Sequence, residues 1–338
     1  MSKVSAIVIH QHGAPLEVAR AEEIELPPVQ PDEARVRMLA TPINPADLNV
    51  IEGKYPIRPA LPGTPGVEGV GVVEETGDNV LGLAMGDLVL LPHGLGAWRE
   101  QAVVKAAELV VVPAKIPPEQ AAMLRINPAT ALRMLRDFAE LKAGDWVIQN
   151  AANSAVGRAV IQLAHAAELR TVNIVRRAEL VEELRALGAN AVLVDGENLG
   201  AQISAATDGA PIRLALNAVG GDSALRLANA LAFGGTLVTY GAMGRQPLRI
   251  PNGLLIFQDI RWRGFWISQW YREASAEARA ALFDELFRLS LSGVLHAPVE
   301  RIYPLAEAPA ALAHAARDQR TGKILFGAPE LASQFSAA

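Results

Sequence analysis

Short runs in which apolar and polar residues alternate dominate the first third of the chain, and each predicts a strand. Ala34–Leu39, Gly69–Glu75, Asp87–Leu91 and Glu108–Val112 are of this kind, with turn signals at Gly77-Asp78-Asn79 and Gly86-Asp87. Long helical periods are scarce there, so the region reads as an all-β unit with irregular loops.

Near Pro117 the period changes. Pro118–Leu124 and Pro128–Phe138 carry helical apolar spacing, and Asn127-Pro128 offers a cap followed by a first-turn proline. Beyond Gly144-Asp145, strands and helices alternate: Trp146–Asn150, Arg170–Val175, Ala191–Asp195, Arg213–Ala218, Thr236–Gly241 and Ile260–Ile267 as strands, with Val156–Ala167, Glu179–Leu187 and Ser223–Leu231 as helices. This pattern predicts an α/β fold, a doubly wound parallel sheet covered on both faces. A helix capped by Ser275 runs to Leu291, and Lys323–Phe326 reads as a last strand.

Composition narrows the chemistry. Of 338 residues, 51% are hydrophobic and 20% charged, and the net charge is -5, so a large core is expected and a nucleic-acid or membrane-surface partner is not. Cysteine is absent, which excludes disulfides and any thiolate-held zinc or iron–sulfur cluster. Only His10 and His12 lie close among six histidines, and alternation would put both on one strand face. They read as surface residues of an N-terminal hairpin, and no metal site is expected. The sequence from Met1 lacks a charged, apolar and small-residue leader pattern, so a cytoplasmic location is the expectation.

The turn after Trp146–Asn150 joins a strand to a helix and reads NAANSAVG. A dinucleotide turn needs small residues so that its backbone can approach the pyrophosphate, and a helix N-terminus to meet the charge. Ala152, Ser154 and Gly157 occupy the positions of the usual three glycines. Arg176 and Arg177 follow the next strand, about twenty residues on, where an NAD site places an acid; two arginines there suit a 2′-phosphate and point to NADPH. The alternative for both features is an ordinary turn and solvated arginines.

Several blocks then carry a resemblance: INPADLNVIEGKYP at 43–56, GLGAWR at 94–99, INPATALRML at 126–135, QNAANSAVG at 149–157, ALNAVGG at 215–221, TYGAMG at 239–244 and RGFWISQW at 263–270. The chain resembles the zinc-free medium-chain dehydrogenase/reductases, and among them the 2-enoyl thioester reductases of mitochondrial fatty-acid synthesis. The resemblance implies a Rossmann domain over 128–296 inserted in a β-rich, GroES-like catalytic domain made of 1–127 and 297–338. It implies Tyr55 as proton donor or substrate-orienting hydroxyl. It implies cofactor contacts from Asn127, Asn153, Ser154, Ala155, Val156, Arg176, Arg177, Tyr240, Gly241, Ala242, Met243, Phe265, Trp266, Ile267 and Lys323. Pro56, Ala155 and Ala242 replace glycines frequent in relatives.

The implied reaction is NADPH-dependent reduction of the C2=C3 bond of trans-2-enoyl thioesters, carried by coenzyme A or an acyl-carrier protein. Hydride goes to the β-carbon and a proton to the α-carbon. Negative charge builds on the thioester oxygen, and a phenol, which keeps its proton at neutral pH, can donate there. A quinone or enone reductase on the same scaffold is the alternative, and a dinucleotide-binding protein without turnover is a third reading. Bland readings stay open: Tyr55 as a packing residue, Asp47 and Asn49 as caps of a short helix, Trp270 as core, Glu68 as a buried partner of the active-site loop, Lys323 as an exposed strand start. A homodimer through the Ile260–Ile267 edge follows from the resemblance, and Arg261, Arg263, Arg272 and Arg288 are candidates for docking a carrier protein.

Overall fold

The computed structural model describes residues 2–335. From the amino end, β1 (Ser2–Ile9), α1 (Pro15–Val18), β2 (Ala19–Leu26), β3 (Glu33–Pro42), α2 (Pro45–Ile51), β4 (Val70–Thr76), β5 (Leu88–Leu90), β6 (Gln101–Lys105), β7 (Val110–Val111) and α3 (Pro118–Ala121) follow one another. The alternating part begins with α4 (Asn127–Asp137), β8 (Trp146–Gln149), α5 (Ala155–Ala166), β9 (Arg170–Val175), α6 (Val181–Ala186), β10 (Ala191–Val194) and α7 (Leu199–Thr207). It continues through β11 (Ile212–Asn217), α8 (Gly221–Asn229), β12 (Thr236–Thr239), α9 (Asn252–Ile256), β13 (Arg261–Gly264), α10 (Ile267–Glu273) and α11 (Ala276–Leu291). The last elements are β14 (Val299–Tyr303), α12 (Ala308–Ala315), β15 (Lys323–Gly327) and α13 (Pro329–Gln334).

Two units result. One combines the residues up to Arg125 with those from His296 onward; the other runs from Ile126 to Leu295. These breaks fall at 125/126 and 295/296, against 127/128 and 296/297 expected from the sequence. Asn127 moves because it is already helical: Ile126 holds the N-cap position of α4 and Pro128 lies in the first turn. A proline is tolerated anywhere its missing N–H is unpaired, so its position does not fix the cap to the residue.

In the first unit, β3 shows why alternation becomes a strand. Ala34, Val36, Met38 and Ala40 are buried, and the residues between them are half exposed. Its sheet has the order β14-β15-β3-β4-β5-β7, with β6 also paired to β3, and it is antiparallel except for β14 and β15. β1 and β2 form a separate hairpin. Ile7, Ile9, Ile43, Ile51, Trp98, Leu312 and Phe326 pack together, with the Trp98 and Phe326 rings edge to face at 5.0 Å. This cluster fixes α2 through Ile51. The two neighbouring histidines part: His10 lies beyond β1 against Glu22 at 3.0 Å, and His12 meets the Ile51 carbonyl at 3.3 Å.

The second unit is the expected doubly wound sheet, in the order β10-β9-β8-β11-β12-β13, parallel throughout. β8 is buried at all four positions, as a central strand covered on both faces requires. Ser275 caps α11, its Oγ accepting from the Ala278 amide at 3.2 Å. One element departs from expectation. The strand read over Ile260–Ile267 stops at Gly264, and Ile267 opens α10. Ile267, Trp270 and Tyr271 are spaced three and four apart, which is a helical stripe, and it overrides the apolar run Phe265-Trp266-Ile267. Among the described residues no helix is long and apolar enough to cross a membrane.

Candidate functional site

In the second unit the strand order reverses between β8 and β11, and the crevice beyond their carboxyl ends is where doubly wound sheets bind ligands. Asn150 and Asn217 close these two strands. The Asn150 amide donates to Asn217 Oδ1 at 2.8 Å, while its carbonyl oxygen accepts from the Ala218 amide at 2.7 Å. Asn217 also reaches Thr239 Oγ1 at 3.1 Å and accepts from the amides of Val219 and Gly220. Three strand ends are thereby held in register around the crevice.

The NAANSAVG turn lies at this end. Ala151 adopts φ 49°, left-handed for a residue with a Cβ. Gly157 allows the tight return: a Cβ there would stand 2.6 Å from the Ala152 carbonyl oxygen. Ser154 is the N-cap of α5, its Oγ accepting from the Gly157 amide at 3.1 Å. Ala155 and Val156 form the first helical turn, whose amides point out of the helix end. Asn153, Ser154, Ala155 and Val156 are all partly accessible. Small residues, outward amides and the helix dipole together fit a pyrophosphate.

Other expected residues line up along the same strand ends. Arg176 and Arg177 follow β9; Arg176 is exposed, and Arg177 pairs with Glu179 at 3.4 Å. Tyr240, after β12, donates its amide to the Asn217 carbonyl at 3.0 Å. Burial pushes its phenol well above the ordinary range, the neighbouring Ser154 hydroxyl opposing this. Gly241, Ala242 and Met243 continue beside Ala218, whose carbonyl accepts from the Met243 amide at 2.8 Å; Ala242 and Met243 are exposed. Phe265 bonds back to Thr239 and meets the Phe138 ring edge to face at 5.7 Å.

Trp266 is the N-cap residue of α10 and stacks under Arg272 at 5.1 Å. Ile267 is buried, and Trp270 packs edge to face on Tyr271 under Arg133. Asn127 opens α4 and is partly accessible.

Tyr55 and Lys323 belong to the first unit, and α2 joins them. Tyr55 is half-buried in the loop after α2, its amide donating to the Asn49 carbonyl at 3.2 Å. At the other end of the helix, Lys323 Nζ donates to Asn44 Oδ1 at 2.6 Å and to the Ile43 carbonyl at 3.4 Å. Lys323 is therefore buried, not an exposed strand start. Asn44 donates to Glu68 Oε1 at 2.8 Å, and Asp47 accepts from the amides of Asn44 and Val67 at 2.8 and 2.9 Å. Asp47 thus supports the helix start from its third position, while Asn44 holds the cap.

Burial dominates the titration of this cluster. It pushes Lys323 down to about 8, against the pull of Glu68 and Asp47. It raises Asp47 from 3.8 to about 6, against the amides of Asn44, Val67 and Gly66 and the charge of Lys323. Between these two values the folded protein holds a proton that the unfolded chain releases, so Asp47 stabilises the fold below pH about 4 and this contribution is lost as pH rises through 6. From pH 4 to 7 the wild type should lose up to about 3 kcal/mol relative to Asp47→Asn in urea unfolding. A difference independent of pH would refute the shift.

Residues 30–114 match the alcohol dehydrogenase GroES-like domain and residues 155–284 the zinc-binding dehydrogenase domain. The human mitochondrial enoyl-[acyl-carrier-protein] reductase is 45% identical over 317 residues, 92% of this chain and 85% of that one. Among solved structures, the protein of the ETR1P/NADP/crotonyl-CoA complex is 28% identical with TM-score 0.88, covering 97% of this chain and 100% of that one. A quinone oxidoreductase from Pseudomonas syringae pv. Tomato DC3000 is 27% identical with TM-score 0.85, covering 96% and 100%. The expected cytoplasmic location is corrected by the curated relatives, whose names place those proteins in mitochondria.

Proposed function

The chain belongs to the enoyl-[acyl-carrier-protein] reductase family of the medium-chain dehydrogenase/reductases, and we propose that it reduces the C2=C3 bond of trans-2-enoyl thioesters with NADPH. The observation that carries this reading is the crevice over β8 and β11. There a small-residue turn and capped helix suit a pyrophosphate, and two arginines at the next strand end suit a 2′-phosphate. When bound, NADPH supplies a hydride, which the substrate takes at its β-carbon. The chain supplies the rest. Ala155 and Val156 amides bind the pyrophosphate, and Arg176 and Arg177 hold the 2′-phosphate. Tyr55 hydrogen-bonds the thioester oxygen as the enolate charge grows and then gives its phenolic proton to the α-carbon, the phenolate regaining a proton from water. α2, pinned by Asn44, Asp47 and Lys323, keeps that hydroxyl in place.

Two finer points belong to the same proposal. Arg261, Arg263, Arg272 and Arg288 are all exposed on β13, α10 and α11, which supports an acidic acyl-carrier protein as the natural thioester donor. β13 is an open edge of the sheet, and the nearby Phe233, Ile256 and Phe257 are exposed, which supports a homodimer built on that edge. A monomeric mass in sedimentation would refute the dimer.

The deciding experiment is a steady-state assay with NADPH and NADH against short and long enoyl-CoAs, an enoyl-carrier thioester and a quinone. Turnover of thioesters with NADPH is expected. Binding of NADPH without any thioester rate would sink the proposal. Activity with quinone alone would favour the second reading, which the likeness to the Pseudomonas enzyme supports.

A further inference from the structure

The nucleotide turn lacks glycine at two of its three usual positions and holds Ala151 at φ 49°, a strained choice for a residue with a Cβ. Strain of this kind persists only where surrounding contacts hold the backbone. Ser154 holds the helix end, its Oγ accepting from the Gly157 amide and meeting the Tyr240 phenol. The carbonyl of Asn153, one residue earlier, is held by a different side chain. Arg158, on the second turn of α5, donates from Nε to Asn153 O at 3.1 Å.

The same guanidinium donates from Nη2 to Glu183 Oε1 at 2.6 Å. Glu183 belongs to α6, the helix that follows Arg176 and Arg177 with only a single 3-10 turn, 178–180, between them. Arg158 is nearly buried, with 11% of its side chain exposed, whereas Glu183 keeps 46%. One planar fork therefore spans from the pyrophosphate turn to the segment that bears the 2′-phosphate candidates. It also neutralises a carboxylate that would otherwise weaken the field those arginines present to an anion.

We propose that Arg158 is a positioning residue that ties the turn at Asn153 to the Arg176–Arg177 segment, so that preference for the 2′-phosphate depends on it. This rests on the reading of those two segments as the cofactor contacts. The link is mechanical and electrostatic at once. A shift of α6 moves the arginines, and a shift of the turn moves the pyrophosphate, so losing the fork changes their spacing.

The test uses the full chain and measures Kd for NADPH and NADH by nicotinamide fluorescence, alongside kcat and KM. Arg158→Met should raise the NADPH Kd about tenfold and the NADH Kd no more than about threefold, with kcat within about twofold. Arg158→Lys should recover part of the loss, because a point charge can meet Glu183 but cannot span both partners. Glu183→Gln, at a half-exposed position, loses the link but also sheds a carboxylate that opposes the anion, so it should weaken NADPH by less, about threefold, and leave NADH unchanged; it carries the test if Arg158→Met does not fold. Equal changes for both cofactors, or no change, would overturn the proposal. A wild-type protein binding NADH as tightly as NADPH would instead overturn the underlying phosphate reading, and this inference with it.

Discussion

Tyr55→Phe is expected to lower kcat for an enoyl-CoA by roughly 100- to 1000-fold, with the NADPH Kd within about twofold of wild type. The substitution removes one oxygen from a half-buried loop residue whose backbone is fixed by the Asn49 carbonyl, so the loop keeps its course. On the proposed reading, what is lost is a donor to the thioester oxygen and the proton for the α-carbon. Protonation by water remains available to the enolate, which limits the loss to about 3–4 kcal/mol rather than the whole barrier reduction. A concentration series separates this from binding: kcat and kcat/KM should fall together, the signature of an interaction made in the transition state. An unchanged kcat would return Tyr55 to the packing role that its loop position alone suggests.

The sequence made the architecture legible where signal is local. Strand and helix alternation from Trp146 to Thr239 follows from periodicity, and the change near Pro117 precedes the start of the alternating unit at Ile126. Local signal also misled. The apolar run around Phe265 looked like strand, and only the spacing of Ile267, Trp270 and Tyr271 reveals α10. α7 escaped because its buried stripe is just Leu199, Ile203 and Thr207 among small residues. β14 escaped because Glu300 and Arg301 interrupt its alternation.

The site divides in the same way. Ser154 and the arginine pair can be read from position relative to a strand end. The residues that hold the site cannot, since each is a single polar residue whose partner is remote in sequence. Asn150 finds Asn217 67 residues on, and Asn44 finds Lys323 279 residues on. Neither pairing leaves a periodic trace. Glu68 was legible as a buried partner only through its place beside the loop, and Asn44, its actual contact, was not.

The arginine pair offers the second large effect. Arg176→Ala with Arg177→Ala should weaken NADPH binding by about 100-fold, or about 2.7 kcal/mol, and leave NADH within about threefold. Charge-assisted bonds of this type contribute roughly 1.5–3 kcal/mol each, and the exposure of Arg176 keeps its share at the low end. Arg177 pairs with Glu179, whose side chain is 66% exposed. A phosphate therefore displaces a weak surface ion pair, at little cost. Folding should not suffer, because two cations at the start of a helical segment oppose its dipole and their removal relieves that. Thermal unfolding at or above the wild-type midpoint would confirm that the variant is intact. Raised ionic strength should weaken NADPH binding in the wild type and have little effect in the double variant, since screening acts on the same charges. A double variant that still prefers NADPH would place 2′-phosphate recognition elsewhere on the chain.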